Sequence, residues 1–427
     1  MSAPRPVLAA VFLVAFGVRV AWIVLAPVPV TGTDVSRAIT SPDARGPALQ
    51  YPDERLHWEL AENLLRRGVL VSEDGHYAPR MPLYPAMLAP FTAAGANGAD
   101  AARLLQALLG GCTALLAAAL GARLAGARGA WVAGGLVAVD PFAIFFSNLL
   151  LTETLFSLLL VGTVAAACWT ASSERRLSLA VMALAIGSAA LLMTRPSVAA
   201  LLPVIWLLAA WSRRGPAGAS GSGRGHRVRC IAIPAVACVA ALALWGWRNV
   251  AMIDSPALLS TNGGITLYDA QGPQAQGDSD QSFLLEMPAV AALPEVKRDR
   301  ELGRLAREQM VHDPARVAQL ALVKLARTWN PFPNVAEHRS GRSAWAGAIY
   351  SLALFVLAFV GALRLWRNRH GQLALLLAPV LYFSLVHMVY VGSVRYRVPL
   401  MPLLAVVGCA AISPRGPLPP ACPPVAR

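Results

Sequence analysis

Runs of about twenty apolar residues recur along the chain and alternate with polar segments. A helix of about 20 residues crosses the apolar core of a bilayer. The pattern predicts ten membrane-spanning helices, at 7–26, 101–124, 130–148, 153–171, 177–193, 197–211, 230–249, 344–364, 373–391 and 398–413. The segment 81–95, MPLYPAMLAPFTAAG, is too short and too rich in proline to span, so we expect a re-entrant or interfacial element there.

Ten spans place both termini on one side of the membrane, and the polar segments then fall into two sets. Short loops that carry arginine mark the cytoplasmic side, and they lie at 121–129, 172–176, 212–229 and 365–371. Two long loops, 27–100 and 250–343, lie on the outer face. We therefore expect one transmembrane domain over 1–413, with a flexible cytoplasmic linker at 212–229 and a proline-rich cytoplasmic tail at 414–427.

Composition agrees with an all-α polytopic membrane protein. Of 427 residues, 56% are hydrophobic and 14% are charged, and the mean hydropathy is +0.53; soluble domains are about 25% charged. The formal charge of +14 could indicate nucleic-acid binding, but the arginines lie in short loops and no nucleic-acid motif occurs. The first run lacks a small-residue cleavage site and predicts a retained span. Abundant arginine and alanine favour a bacterial source, hence the inner or plasma membrane.

An adjacent acidic pair, Asp53-Glu54, begins an amphipathic helix predicted over 53–68 in the first outer loop. Pro52 suits the first helical position, and acids in the first turn complement the helix dipole, so a purely structural role explains the pair. Leucines on one stripe predict that this helix lies on the membrane surface. Tyr51 and Trp58 are interpreted as interfacial anchors. A similar helical pattern covers about 295–329 in the second outer loop.

Glu153 stands at the outer start of a predicted span, where an ionised group needs a polar partner or cavity. A first-turn role with Thr152 as the cap is the structural alternative. Five arginines lie at similar depth, at Arg80, Arg195, Arg248, Arg395 and Arg397. Each could snorkel to the interface, but several together would bind a phosphate through bidentate hydrogen bonds. Acids and arginines at the outer end of an apolar bundle suit a substrate with an apolar tail and an anionic head.

A metal site has weaker support in the sequence. His57 follows Asp53 by one helical turn, and such a pair can bind a divalent metal ion or tune a base. We favour an interfacial histidine on a solvated face. The segment QGPQAQGDSDQSF, 271–283, is expected to be mobile, and its carboxylates are too few for a calcium site. No cofactor is therefore certain, and a divalent metal ion stays open.

The order of several short motifs resembles the GT-C superfamily of polytopic glycosyltransferases. These motifs are AENLLRRG after the acidic pair, RMPLYPAMLAPF, ARLLQALLGG, VDPFAIFFSNLLLTETLF, LMTRPSVAALLP and VRYRVPLMPLL. They are most similar to family 39-like enzymes, which include protein O-mannosyltransferases and lipid A aminoarabinose transferases. The resemblance spans most of 7–413 and implies a GT-C-like bundle of about ten transmembrane helices with interfacial helices in the first outer loop.

The resemblance also implies an activity. Members of this family take a hexose or pentose from a polyprenyl-phosphate donor and pass it to a lipid, glycan or protein acceptor on the extracytoplasmic face, with inversion. Asp53 then corresponds to the base that deprotonates the acceptor, with Glu54 beside it and Glu153 at a second acidic position. Arg80 and Arg195 correspond to basic positions for the donor phosphate.

Two other classes remain open. A transporter or flippase of lipid-linked intermediates should carry charged residues deep within several spans, or related halves. Here the polar residues gather at one face, and no internal repeat of useful strength is visible. A non-catalytic envelope scaffold with the same fold would keep its function when Asp53 is replaced.

Overall fold

The structure is a computed structural model that describes residues 5–26, 47–170, 174–211, 222–334 and 341–412. Within these ranges the chain is helical and contains no β-strand. The proline-rich tail and most of the linker 212–229 lie outside the described residues. The long helices are α1 (Arg5–Leu25), α4 (Gly95–Ala138), α6 (Glu153–Thr170), α7 (Glu174–Thr194), α9 (Ser222–Ile253), α15 (Arg342–Asn368) and α16 (His370–Val389).

Shorter helices fill the segments between the long ones. They are α2 (Pro52–Arg67), α3 (Leu83–Thr92), α5 (Pro141–Ser147), α8 (Leu201–Trp211), α10 (Gly263–Gln271), α11 (Phe283–Glu286), α12 (Pro288–Ala291), α13 (Glu295–His312), α14 (Pro314–Thr328), α17 (Val394–Arg397) and α18 (Met401–Gly408). Three 3₁₀ turns, Pro196–Val198, Val398–Leu400 and Cys409–Ile412, complete the list. The segment Val394–Ile412 acts as one apolar span built from α17, α18 and two of these turns.

The described residues hold eight helices that are long and apolar enough to cross a membrane. They account for nine of the ten predicted spans, because α4 contains 101–124 and the first part of 130–148, and α5 contains most of the remainder. The tenth, 197–211, corresponds to α8, which has 11 residues and is too short to span alone. The fold is therefore the polytopic all-α architecture that the hydrophobic pattern predicts.

The helix α4 is a helical hairpin rather than one rod. Its helical geometry breaks at Ala125 and at Gly126, where φ is +65°. A Cβ atom on Gly121 would lie 2.3 Å from the carbonyl oxygen of Gly129, and one on Gly134 would lie 2.8 Å from the Cβ of Ala118. The two arms therefore run back along each other, and glycine is required where their backbones touch.

A buried arginine joins α1 to this hairpin. Arg19 lies within the first span and is 2% exposed. Its guanidinium group donates to the carbonyl oxygens of Ala15 at 2.9 Å, Val137 at 3.2 Å and Ala138 at 3.3 Å. These carbonyls supply partners that lipid cannot provide, so the charge is tolerated at this depth.

Two of the predicted arginine-bearing loops contact each other. Arg369 donates from Nη1 to the carbonyl oxygen of Arg123 at 3.1 Å, which joins the loops 365–371 and 121–129. The helices α2, α3 and α10–α14 belong to the two long loops of the predicted outer face.

The predicted helix of the first outer loop is confirmed as α2, but its environment differs from the prediction. The helix ends at Gly68, which has φ +70° and donates to Leu64. Trp58 and His57 are 5% and 3% exposed, because α2 packs against α3 and the loop before α6. The assignments of Trp58 as an interfacial anchor and of His57 to a solvated face are therefore wrong.

The second outer loop is folded and tied to the segment that precedes α17. The predicted helix at 295–329 is confirmed as α13 and α14, separated at Asp313. Val389 accepts through its carbonyl from Gln271 Nε2 at 2.5 Å and from Lys324 Nζ at 3.0 Å. The segment 271–283 was expected to be mobile, but Arg316 binds four of its backbone carbonyls. The guanidinium group supplies the order that the composition did not predict.

We expect Gly121→Ala to lower the thermal midpoint of the purified protein, because a Cβ there would clash with the facing arm of α4. The cost should be about 1–3 kcal/mol. Gly135→Ala is the matched control, since nothing lies within 4 Å of its added Cβ. Equal thermal midpoints for the two variants would contradict the hairpin.

Candidate active site

Asp53 is held between two arginines at the end of the bundle where the two long loops lie. Its Oδ1 accepts from Arg80 Nη2 at 2.8 Å, and its Oδ2 accepts from Arg395 Nη1 at 2.6 Å. The side chain is 34% exposed, so the carboxylate can still be reached from outside the protein. Asp53 lies in the first turn of α2, directly after the Pro52 that begins the helix.

Glu153 forms the second half of the same network. Its Oε1 accepts from Arg195 Nη2 at 2.5 Å and also from Arg395 Nε. Arg195 Nε donates to Thr152 Oγ1 at 2.7 Å. Glu153 is fully buried, and its Oε2 has no hydrogen-bond partner among the described residues. Thr152 therefore orients an arginine at this site.

The structure thus brings together five of the eight predicted site residues, in the order Arg80–Asp53–Arg395–Glu153–Arg195. Three guanidinium groups face two carboxylates, so the cluster carries one net positive charge when all five are ionised. Each residue stands at an end of a helix or in a loop, where the chain reaches the outer end of the bundle. A positive cluster of forked donors can bind an anion such as phosphate.

Glu54 does not join this network. Its Oε2 accepts from the backbone N–H groups of Gln50 at 2.9 Å and Tyr51 at 3.0 Å, and its Oε1 accepts from Leu150 N at 2.7 Å. Burial raises the pKa of Glu54 above its ordinary value, although these three donors favour the charged form. Glu54 therefore fastens the start of α2 to the loop before Glu153.

Arg248 and Arg397 also lie apart from the ion pairs. Arg248 donates to the carbonyl oxygens of Tyr77 at 2.7 Å and Leu70 at 2.6 Å, and so secures the first outer loop. Arg397 is fully buried, donates to Asn330 O at 2.5 Å, and lies over the ring of Phe142 at 4.8 Å. Both guanidinium groups hold protein segments together.

The two arginines that grip Asp53 set its protonation state. Burial alone would raise the pKa of Asp53, but the charges of Arg395 and Arg80 outweigh it and hold the pKa well below its usual range. Asp53 is therefore a carboxylate at neutral pH. A carboxylate stabilised in this way is also a weak base, because its partners favour the charged form.

His57 stands behind Asp53, edge-on to the ring of Tyr84 at 4.9 Å. Burial, together with the charge of Arg80, lowers the pKa of His57 to about 3, so the imidazole is neutral. Both oxygens of Asp53 already accept from arginine. Among the described residues, no group of three or more histidine, cysteine, aspartate or glutamate side chains could hold a metal ion.

An aromatic stack beside the network was not predicted. The ring of Tyr396 lies parallel to that of His387, with centroids 4.1 Å apart and planes 10° apart. His387 Nδ1 lies 2.9 Å from Val391 O. The stack braces the turn that carries Arg395. No spacing in the sequence indicates it, because its two members come from α16 and α17.

An apolar groove with a volume of about 720 Å³ lies next to Arg395. Of the described residues that line it, Arg395 alone is charged. The apolar walls come from α1, α5 and α15 and include Trp22, Leu25, Phe142, Phe146 and Ala346. The groove and the ion pairs therefore share one guanidinium group.

The fold is shared with structures of the oligosaccharyltransferase AglB from Archaeoglobus fulgidus. The complex with an inhibitory peptide and a dolichol-phosphate matches with a TM-score of 0.55 at 14% identity, over 95% of this chain and 50% of that one. The same enzyme tethered to an acceptor peptide gives 0.55 at 13% identity, over 95% and 49%. The chain thus spans about half the length of these structures.

ArnT from Cupriavidus metallidurans bound to undecaprenyl phosphate covers 92% of this chain and 78% of that one, at 16% identity, but its TM-score of 0.38 is too low to support an argument. No protein-family model matches the sequence, and no curated protein matches it significantly. The likeness to AglB shows a shared fold, the polytopic all-α bundle that the hydrophobic pattern of the chain predicts.

We expect His57→Phe to flatten the pH dependence of stability between pH 6.5 and about 3. In that range the unfolded chain protonates His57 and the folded chain does not, so stability falls as pH falls, by at most about 1.4 kcal/mol per pH unit. Thermal midpoints across this range test it. His312→Phe, at an exposed position on α13, is the control; equal slopes for wild type and His57→Phe would contradict a neutral buried His57.

Proposed function

We propose that this protein is a glycosyltransferase that moves a sugar from a polyprenyl-phosphate donor to an acceptor at the outer face of a membrane. The observation that carries the proposal is the double role of Arg395, which pairs with Asp53 and also lines the apolar groove. The apolar groove, the anion-binding guanidinium group of Arg395 and the carboxylate of Asp53 therefore lie next to one another. A lipid tail, its phosphate and a sugar acceptor need these three features in this order.

The groove suits the isoprenoid chain of the donor. Its walls are almost entirely apolar, and its one charged lining residue can bind the phosphate at the head of the chain. Arg80 and Arg195 lie on either side of Arg395 in the ion-pair network. The fold relative AglB has been captured with a dolichol-phosphate, which supports a ligand of this class.

In the proposed reaction, Asp53 accepts the proton of an acceptor hydroxyl while the acceptor oxygen attacks the anomeric carbon. The bond from that carbon to the phosphate oxygen breaks, and its electron pair stays with the polyprenyl phosphate. The arginines stabilise the charge that develops on the leaving phosphate. A single displacement of this kind inverts the anomeric carbon.

The arginines also link donor binding to the strength of the base. Without donor, Arg395 and Arg80 hold the pKa of Asp53 low. A bound phosphate would compete for the same guanidinium groups and withdraw part of their charge from Asp53. The proton affinity of Asp53 would then rise toward that of an ordinary carboxylate. The base would be strong only when a donor is in place.

The remaining predicted residues support this centre. Glu153 is proposed as a positioning residue, because Arg195 and Arg395 both donate to its Oε1. Glu54 is proposed to align the two acidic helix starts. Arg248 and Arg397 are proposed to stabilise the surrounding loops rather than to bind donor. Whether the reaction depends on a metal ion is tested by measuring activity after chelation. Among the described residues, no set of metal ligands can be named.

The proposed placement follows the loop charges. The arginine-bearing loops and both termini face the cytoplasm, and the ion-pair network faces the extracytoplasmic side of a bacterial inner or plasma membrane. Residues 1–413 then form one transmembrane domain, and 414–427 a cytoplasmic tail. The sugar is a hexose or pentose, and the acceptor is a lipid, glycan or protein.

We expect Asp53→Asn to lower the rate of sugar transfer by about 10²–10⁴-fold, because the amide cannot accept the proton. Transfer from radiolabelled polyprenyl-phosphate sugars to a membrane extract is the measurement, and donor binding is measured in parallel. Donor binding should persist. Glu62→Gln, on the same helix and paired only with Arg66 in the structure, is the matched control.

Unchanged transfer by Asp53→Asn would remove Asp53 from the role of base. Binding of donors by the wild type without any turnover would favour a lipid carrier or an envelope scaffold over an enzyme. Loss of both binding and transfer in Asp53→Asn would assign Asp53 to the architecture of the site instead of to the chemistry.

We expect Ala346→Trp to raise KM for the lipid donor by roughly 10-fold, because an indole in the groove leaves less room for an isoprenoid chain. Ala353→Trp places the same side chain at an exposed position of α15 outside the groove and is the control. The KM for donor is read from initial transfer rates. Equal values for the two variants would show that the donor tail lies elsewhere.

A further inference from the structure

A second and larger cavity, with a volume of about 990 Å³, lies between the two outer loops. Its walls are the segment 74–77 of the first outer loop, residues 253–256 at the end of α9, and residues 291–300 around the start of α13. It shares no lining residue with the apolar groove. The first outer loop contributes to both cavities, through Tyr51 to the groove and through 74–77 to the second cavity.

The lining of this cavity is rich in both signs of charge. Three acids face three basic side chains, namely Asp74, Asp254 and Glu295 with Lys297, Arg298 and Arg300. Burial and the charge of Arg298 lower the pKa of His76, which also lines the cavity. The lining therefore combines many hydrogen-bond donors and acceptors without a net charge.

Two buried polar atoms of the lining residues lack partners. Glu295 is 6% exposed, and neither its Oε1 nor Arg298 Nε has a hydrogen-bond partner among the described residues. Buried polar atoms are nearly always paired, and an unpaired acceptor and an unpaired donor each cost stability. Such a cost is explained when a ligand supplies the missing partners.

The turn that ends α9 lies at the same place. Asp254 directly follows the helix, has φ +49° and is the only described residue other than glycine with a positive φ. Aspartate tolerates this left-handed conformation as a single residue. Asp254 lines the cavity, so the turn and the unpaired groups belong to the same cavity.

Glu295 connects the cavity to the ion-pair network. Its Oε2 accepts from the backbone N–H groups of Tyr77 at 3.0 Å and Ala78 at 3.3 Å. Arg80, two residues after Ala78, donates to Asp53. One oxygen of Glu295 therefore holds the segment that carries a site arginine, and the other has no partner among the described residues.

We propose that this cavity binds the carbohydrate part of a glycan acceptor, through Glu295 and Arg298. This inference rests on the proposed glycosyl transfer and adds the class of acceptor. Neighbouring hydroxyl groups of a sugar each donate and accept, which matches alternating carboxylate and guanidinium groups. A phosphate would need surplus positive charge, and a lipid tail would need apolar walls. The ring of Tyr77 in the lining offers a flat apolar face to a sugar ring.

Glu295→Gln tests the proposal, because the amide keeps the shape of the side chain and removes one charged acceptor. The expected result is a rise of about 10-fold in KM for the acceptor extract, while KM for the donor stays at the wild-type value. Arg300→Gln, at the exposed rim of the cavity, should also raise KM for the acceptor. This substitution leaves the hydrogen bonds from residues 77–78 to Glu295 unchanged. Glu308→Gln, exposed on the same helix but outside the cavity, should not raise KM for the acceptor.

The chemical class of the acceptor is tested on the same extract. Periodate cleaves vicinal diols of sugars, so treatment with periodate followed by borohydride should destroy acceptor capacity, whereas protease treatment should not. Acceptor capacity that survives periodate but not protease would overturn the proposal in favour of a protein acceptor. An unchanged acceptor KM in both Glu295→Gln and Arg300→Gln would also overturn it.

Failure of this inference is distinguishable from failure of the proposed function. Normal sugar transfer with an unchanged acceptor KM in both cavity variants would contradict the glycan site and leave the glycosyltransferase intact. Absence of transfer by the wild type with every donor would contradict the proposed function itself, and with it the inference that rests on it.

Discussion

The ion pairs of Arg395 hold together the end of the protein where the two long loops lie. Two carboxylates from distant helix starts, Asp53 and Glu153, both bind its guanidinium group. A buried carboxylate without a partner is strongly unfavourable, whereas a buried pair with good geometry is tolerated. The ion pairs therefore decide which ends of α2, α6 and α17 can lie together, and the surrounding loops are folded to keep them there.

The same pairs explain why structure and chemistry are difficult to separate at this site. Arg80 and Arg395 stabilise the folded first loop by binding Asp53, and they are also the groups that would meet a donor phosphate. The surplus of one positive charge leaves the cluster stable but incompletely neutralised. The donor phosphate proposed above would complete this charge balance by competing with Asp53 for guanidinium groups that are already in place.

The sequence predicted nine of the ten spans, the helix α2 and the residues that meet in the ion-pair network, because hydrophobic length and helix-start chemistry are local properties. It could not separate Asp53 from Glu54, since the partner of Glu54, Leu150, lies 96 positions away. It also missed Arg19, whose burial depends on carbonyl groups of another helix. Arg248 differs from Arg80 only in which long-range partner it meets. The sequence predicts which residue types lie at which depth along the spans. Which side chains pair with each other depends on the tertiary structure.

The long separation between the partners has a consequence for biogenesis. Asp53 precedes Arg395 by 342 positions, so a ribosome that adds roughly 5–20 residues per second needs about 17–70 s to make the second partner. During that interval Asp53 has at most Arg80, and Glu153 has at most Arg195, as a counter-charge. The ion-pair network can therefore close only after α17, which carries Arg395, has been translated and inserted.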